Sequence, residues 1–176
     1  MKFIVLLLAF GSLNAIAQVK LPVNELGQVQ YQEVIRVPDS KRPARQLMEQ
    51  ARAWADRHYR ANLTTEKQYD KEHNILFIKS TYSANNQPVR YTLTIEPKFG
   101  RYRATITDLI TQSNGLNVPI RATSVTVDEI RKAAVDSLKT ESLIEQTAQQ
   151  QADLYDQLDQ SCRATLASLE EAMTAN

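Results

Sequence analysis

Apolar residues follow one another along this chain in three rhythms, and each predicts a different element. The first is the unbroken run Phe3-Ile4-Val5-Leu6-Leu7-Leu8-Ala9-Phe10, preceded by Lys2 and followed by Ala15-Ile16-Ala17 before Gln18. A basic start, a short apolar core and a small-x-small site are the parts of a cleavable secretory signal, so residues 1–17 are expected to be removed on export. The run is too short for a hydrocarbon layer of about 30 Å, and no later stretch is apolar enough to span one. No Cys near the cleavage site offers a lipid acceptor.

The second rhythm is alternation. Val29, Tyr31, Ile35 and Val37 alternate with polar residues up to Pro38, which suits a strand with one buried face. Ile75-Leu76-Phe77-Ile78 opens another strand, with Tyr82 near its end. Val89, Tyr91, Leu93 and Ile95 alternate with Arg90, Thr92, Thr94 and Glu96 in the clearest strand pattern of the chain. Tyr102, Ala104, Ile106 and Ile110 are expected to share the face of the next strand, opposite Arg103, Thr105 and Thr107. Ala84-Asn85-Asn86-Gln87-Pro88 and Lys98-Phe99-Gly100-Arg101 read as the turns between these strands, with Gly100 free to take a positive φ. A shorter strand is placed near Leu63–Tyr69.

The third rhythm steps by three and four, the period of a helix. Leu47, Ala51, Trp54 and His58 or Tyr59 form one stripe, and Ser40 is placed as the cap of that helix. Thr126-Val127-Asp128-Glu129 is a capping box, with Val125 and Ile130 where a hydrophobic staple would put them. The helix it starts directs Val127, Ile130, Ala134 and Leu138 inward. A second segment, from about Ser142 to Met173, carries Ile144, Ala148, Tyr155, Leu158, Cys162, Leu169 and Met173 on one seam. Tyr155, Cys162 and Leu169 are seven apart, a diluted heptad that gives the segment coiled-coil character.

These elements predict an α+β protein: an antiparallel sheet packed on a helix through residues 18–122, then a helical extension over 123–176. Charge sharpens the division. Cleavage would remove one cation, Lys2, leaving equal numbers of basic and acidic side chains. Beyond Lys139, however, Arg163 alone stands against Glu141, Glu145, Asp153, Asp156, Asp159, Glu170 and Glu171. A neutral total argues against a nucleic-acid binder, which usually carries a strong positive excess. The single Cys162 cannot form an internal disulfide.

With the strands placed, Leu21-Pro22-Val23, Gly27-Gln28-Val29-Gln30-Tyr31-Gln32-Glu33-Val34, the helix around Ala51 and Trp54, Tyr91-Thr92-Leu93-Thr94-Ile95, Lys98-Phe99-Gly100-Arg101-Tyr102-Arg103 and Ile106-Thr107-Asp108 together resemble the domain of unknown function 4468 family. The resemblance covers roughly residues 21–112. It implies exported bacterial proteins with a TBP-like fold, a curved antiparallel sheet holding a helix. It carries no activity and no site residues, and a shared fold does not confer DNA binding.

Candidate chemistry is sparse. No G-x-S-x-G elbow accompanies His58 or His73. Asp70, Glu72 and His73 could supply metal ligands, but Asp70-Lys71-Glu72-His73-Asn74 reads as a polar turn, and no H-E-x-x-H, paired Cys or EF-hand loop appears. Cys162 lies on the apolar seam and reads as a small buried hydrophobe. Trp54 and the tyrosines read as core, with a ligand pocket as the sharper alternative. Arg36, Arg42, Arg45, Arg52, Arg57 and Arg60 form a basic cluster, read as a solvated face with Glu49 and Asp56 as local partners. An undetected enzyme would need Glu33 and Asp108 to converge in one cleft.

No catalytic, cofactor or metal residues are therefore assigned. The expectation is a periplasmic or secreted, non-enzymatic envelope protein. It would bind an envelope partner or itself through residues 141–173, with no nucleic acid and no membrane span after cleavage. The alternative is a binder of a small apolar ligand in a helix–sheet cavity.

Overall fold

A computed structural model describes residues 18–113, 115–133 and 140–175. The signal-peptide assignment, and Ala134 and Leu138 of the expected inward stripe, lie outside them. The elements are β1 (Tyr31–Arg36), α1 (Ala44–His58), β2 (Glu66–Asp70), β3 (Ile75–Ala84), β4 (Gln87–Lys98), β5 (Arg101–Ser113), β6 (Leu116–Pro119), α2 (Val127–Ala133) and α3 (Glu141–Thr174). The strands form one antiparallel sheet in the order β1-β5-β4-β3-β2, with β6 pairing with the end of β5 beyond β1.

The alternating residues do what their spacing implies. Leu76, Ile78, Val89, Tyr91, Leu93, Ile95, Tyr102, Ala104 and Ile106 are all buried on one face. The β3–β4 connection is a two-residue turn with both Asn85 and Asn86 at positive φ, the geometry that matches strand twist. β6 had no counterpart in the sequence reading: it is four residues long and all four are exposed, so no buried face marks it.

Two local expectations are corrected. The first helix starts at Ala44 behind Pro43 rather than at a Ser40 cap. A proline disfavours helical geometry in the residue before it, so Arg42 cannot join the helix. In β5, Leu109 rather than Ile110 joins the buried face. Asp108 takes φ 54°, and Asp108 and Leu109 of β5 stand opposite Tyr91 alone of β4 between the pairs Thr107–Thr92 and Ile110–Arg90. One extra residue in a strand shifts every later side chain to the other face.

The larger correction concerns the C-terminal helix. Leu154, Tyr155, Leu158, Cys162, Leu166, Leu169 and Met173 are buried in the same core as the sheet and α1. The seam of residues 141–173 is therefore covered by the chain itself and is no projecting arm, and residues 122/123 do not divide two packing units. Width explains this. Five strands about 4.8 Å apart make a sheet roughly 19 Å across between outer axes, whereas packed helices sit only about 8–10 Å apart. One helix leaves apolar sheet uncovered, and α3 covers the remainder beside α1. Trp54 Nε1 donates to Ser168 Oγ at 3.1 Å across that helix pair, and Gln50 Nε2 donates to the Ala172 carbonyl at 2.7 Å.

The capping box forms as expected. The Glu129 N–H donates to Thr126 Oγ1 at 3.2 Å, and the Thr126 N–H donates to Glu129 Oε2 at 2.8 Å. Val125, Val127 and Ile130 pack with Ile144 and Ala148 in a second, smaller cluster that ties α2 to the start of α3. The segment after the sheet is held by the N-terminal segment: the Leu21 N–H donates to the Ala122 carbonyl at 2.8 Å, and the Val19 N–H to Ser124 Oγ at 2.9 Å.

Candidate functional site

Because α1 and α3 lie on one face, the other face of the sheet is bare, and the pairing register arranges its side chains in ranks. Gln32, Thr105, Thr94, Phe77 and Gln68 are successive cross-strand neighbours from β1 to β2. The next rank reads Thr107, Thr92, Lys79 and Glu66, and beyond it come Pro119, Ile110, Arg90 and Thr81. Toward the other end Val34 neighbours Arg103, which neighbours Glu96, and Arg36 neighbours Arg101, which neighbours Lys98. The surface is thus a hydroxyl-rich centre between an end of mixed charge, where Lys79 faces Glu66, and a basic end with Arg103, Arg36, Arg101 and Lys98. Arg103 is paired with Glu96 at 2.6 Å, and Arg90 donates to Asn117 Oδ1. A shallow hollow of about 620 Å³ on this face is lined by Glu66, Lys79, Arg90, Thr92, Asp108 and Asn117, among others.

A second hollow, of about 650 Å³, lies where the N-terminal segment, β1 and α3 meet, lined by Val23, Leu26, Tyr31, Glu33, Arg163 and Leu166 among others. Tyr31 Oη donates to Asp159 Oδ1 at 2.9 Å, and Arg163 Nε to Asp159 Oδ2 at 2.8 Å. Burial pushes the Asp159 carboxyl up, but the hydrogen bonds from Arg163 and Tyr31 outweigh it and hold the group below its ordinary range. Glu33 is raised, first by burial and then by the nearby Glu170 carboxylate.

A polar network crosses the core between the helices and the sheet. Tyr59 and Tyr91 share a hydroxyl–hydroxyl bond of 2.9 Å, the Tyr82 ring stacks on Tyr91 at 3.9 Å, and Tyr82 Oη donates to Thr165 Oγ1 at 2.9 Å. These contacts satisfy hydroxyls that burial would otherwise leave costly. The Tyr102 hydroxyl is the buried side-chain oxygen without a partner among the described residues.

The residues singled out from the sequence do not assemble into one site. Glu33 lines the crevice beside α3, whereas Asp108 lines hollows at the β5 bulge, so the two carboxylates do not converge. His58 stacks on Trp54 with ring centres 4.7 Å apart and lies 3.4 Å from Ser168 Oγ, while His73 is in the β2–β3 turn. There Asp70 accepts from the Glu72 and His73 N–H groups at 2.9 and 3.1 Å and from the His73 ring at 2.8 Å, which organises a turn. Among the described residues no three His, Cys, Asp or Glu side chains are grouped to hold a metal. Cys162 is fully buried, and burial pushes its thiol up to about 12.

Trp54 is packed into the core, and none of the described hollows is lined by α1. The cations named from the sequence are dispersed: Arg45 pairs with Glu49 at 3.2 Å, Arg42 approaches Asp39 at 3.9 Å, and Arg52 lies over the Tyr69 ring at 5.2 Å. Arg36 instead joins Lys98 and Arg101, a grouping created by strand pairing between residues more than sixty positions apart. The alternation of Thr92, Thr94, Thr105 and Thr107 was visible in the sequence as the polar side of two strands, but nothing local says that no helix covers that side.

No protein-family model matches the chain, and no curated protein does. Solved structures do. A TBP-like protein from Parabacteroides distasonis ATCC 8503 superposes with a TM-score of 0.59 at 14% identity, over 86% of this chain and 96% of the other. A DUF4468 family protein from Bacteroides ovatus ATCC 8483 superposes with a TM-score of 0.57 at 11% identity, over 89% of this chain and 91% of the other. Both alignments cover more of this chain than residues 18–122 contain, so each extends beyond that span. At these identities the likeness establishes the fold alone, and that fold is TBP-like.

Proposed function

We propose that this is an exported, non-enzymatic module of the cell envelope that holds a polar partner on the uncovered face of its sheet. The supporting observation is the one-sided covering of the sheet. α1 and α3 bury one face, while the other presents Gln32, Thr105, Thr94, Phe77 and Gln68 in one rank, flanked by Lys79 and Arg90 on one side and Arg103 and Arg36 on the other. Threonine, glutamine and arginine side chains on a rigid sheet offer many hydrogen bonds at little ordering cost, as antiparallel sheets with one solvated face allow. The seam of α3, first expected to mediate contact, is occupied by the chain's own core, so partner contact falls to the sheet.

A photo-crosslinking side chain placed at Thr94 or Thr105, and separately at the exposed Gln149 on α3, tests this in the cell envelope. Adducts concentrated at the two sheet positions are expected. Adducts only at Gln149, or at none of the three, would discard the sheet face as the contact surface.

A further inference from the structure

We propose that the tip of the β4–β5 hairpin docks on an anionic lipid surface, with Phe99 entering the headgroup layer and Arg36, Lys41, Lys98 and Arg101 meeting its phosphates. Phe99 occupies the two-residue turn between Lys98 and Arg101 and is 66% exposed. A single exposed apolar side chain is ordinary on its own; what sets Phe99 apart is the group of cations around it. The tip is also held stiffly. The Val37 N–H donates to the Gly100 carbonyl at 3.1 Å, and the Gly100 N–H donates to the Arg42 carbonyl at 3.0 Å.

Those bonds bring the loop after β1 against the tip and gather cations around it. Arg36 stands directly opposite Arg101, which stands directly opposite Lys98. Like charges facing one another across strands are unfavourable, and none of the three has a carboxylate within ion-pair distance among the described residues. Exposed Lys41 extends the group, and Asp39, the acid in that loop, is engaged by the Lys41 N–H at 3.0 Å. A hollow of about 160 Å³ beside the cations is lined by Val34, Glu96, Lys98, Arg101 and Arg103, among others.

A lone protruding ring between cations suits a bilayer surface better than a protein. Aromatic rings settle at headgroup depth, Lys and Arg stems lie along apolar surface with their charges at the phosphates, and each cation near an anionic leaflet adds attraction. A protein interface would ask for a broader apolar patch around the ring.

The inference stands apart from the sheet-face reading, because lipid vesicles carry no protein partner. Co-sedimentation of residues 18–176 is measured with vesicles of phosphatidylcholine alone and with added phosphatidylglycerol. Binding is expected only with phosphatidylglycerol and is expected to weaken as salt rises. Replacing Arg36, Lys98 and Arg101 by Gln should weaken it by roughly fivefold per cation. Phe99→Ala should weaken it further, and Phe99→Trp should show emission shifting to the blue on the same vesicles. Circular dichroism checks that each variant is folded, and all four side chains are exposed. Absence of binding, equal binding to both vesicles, or unchanged binding by the folded variants would overturn the proposal. Absence of vesicle binding together with loss of a cross-linked partner when only Lys98 and Arg101, which the sheet-face reading does not use, are replaced would also overturn it, assigning the tip to an acidic protein.

Discussion

Gly100 lies directly beneath the carbonyl of Ser40: a β-carbon at position 100 would stand 2.3 Å from that oxygen and 2.9 Å from its carbon, and φ is +68°. Both constraints exclude a side chain. The close approach is what joins the β4–β5 turn to the loop between β1 and α1, so the residue that closes the hairpin also sets where α1 begins.

Gly100→Ala is therefore expected to destabilise the protein by at least about 2 kcal/mol, combining a left-handed backbone penalty of about 1–2 kcal/mol with backbone displacement. Gly115 is a control with a similar φ of +78° and open space where a Cβ would go, so Gly115→Ala should cost only the conformational part, about 1–2 kcal/mol. Urea denaturation compares the two. Equal costs would show that the Ser40 contact carries no energy.

Removal of α3 is expected to abolish folding. A chain ending at Lys139 would expose the sheet area now under Leu158, Leu166, Leu169 and Met173, each at most 2% exposed. Leu169→Ala in the full chain should cost about 2–5 kcal/mol. A truncated chain with a cooperative melt and native-like circular dichroism would show that the body folds without the helix.

Cys162 should be inert in the folded state. Its thiol is fully buried and raised to about 12 by burial, with Asp159 adding to the shift and a hydrogen bond involving Tyr82 opposing it. The thiolate is the reactive form, so labelling by a thiol reagent should be slow in buffer and fast in denaturant. Rapid labelling of native protein would contradict the packing of α3 on β3.

His58 has its pKa lowered from the ordinary 6.5 by burial. The folded protein then favours the neutral ring, and the unfolded chain binds the proton more readily. Stability from this group is full above pH 6.5 and is lost as pH falls from there through the folded value. Nuclear magnetic resonance of the ring protons should give a midpoint below 6.5, and His58→Asn should flatten stability against pH in that window. A midpoint at or above 6.5 would remove the effect.

What the sequence determined by itself is local. Alternation at Val89–Glu96, the glycine at the Lys98–Arg101 turn, the helical stripe through Leu47, Ala51 and Trp54, and the Thr126–Glu129 capping box all rest on interactions between residues a few positions apart, and each is where the spacing placed it. What the tertiary structure decided is which apolar faces meet. The seam of α3 reads the same whether it covers a partner or its own sheet, and only the width of five strands against the reach of one helix shows that it turns inward. The same holds for the candidate surfaces. Arg36, Lys98 and Arg101 are distant in the chain and become neighbours through strand register, while the bare Thr face is defined by where the helices do not lie. Position along the chain carries the period of an element, but not the identity of what packs against it.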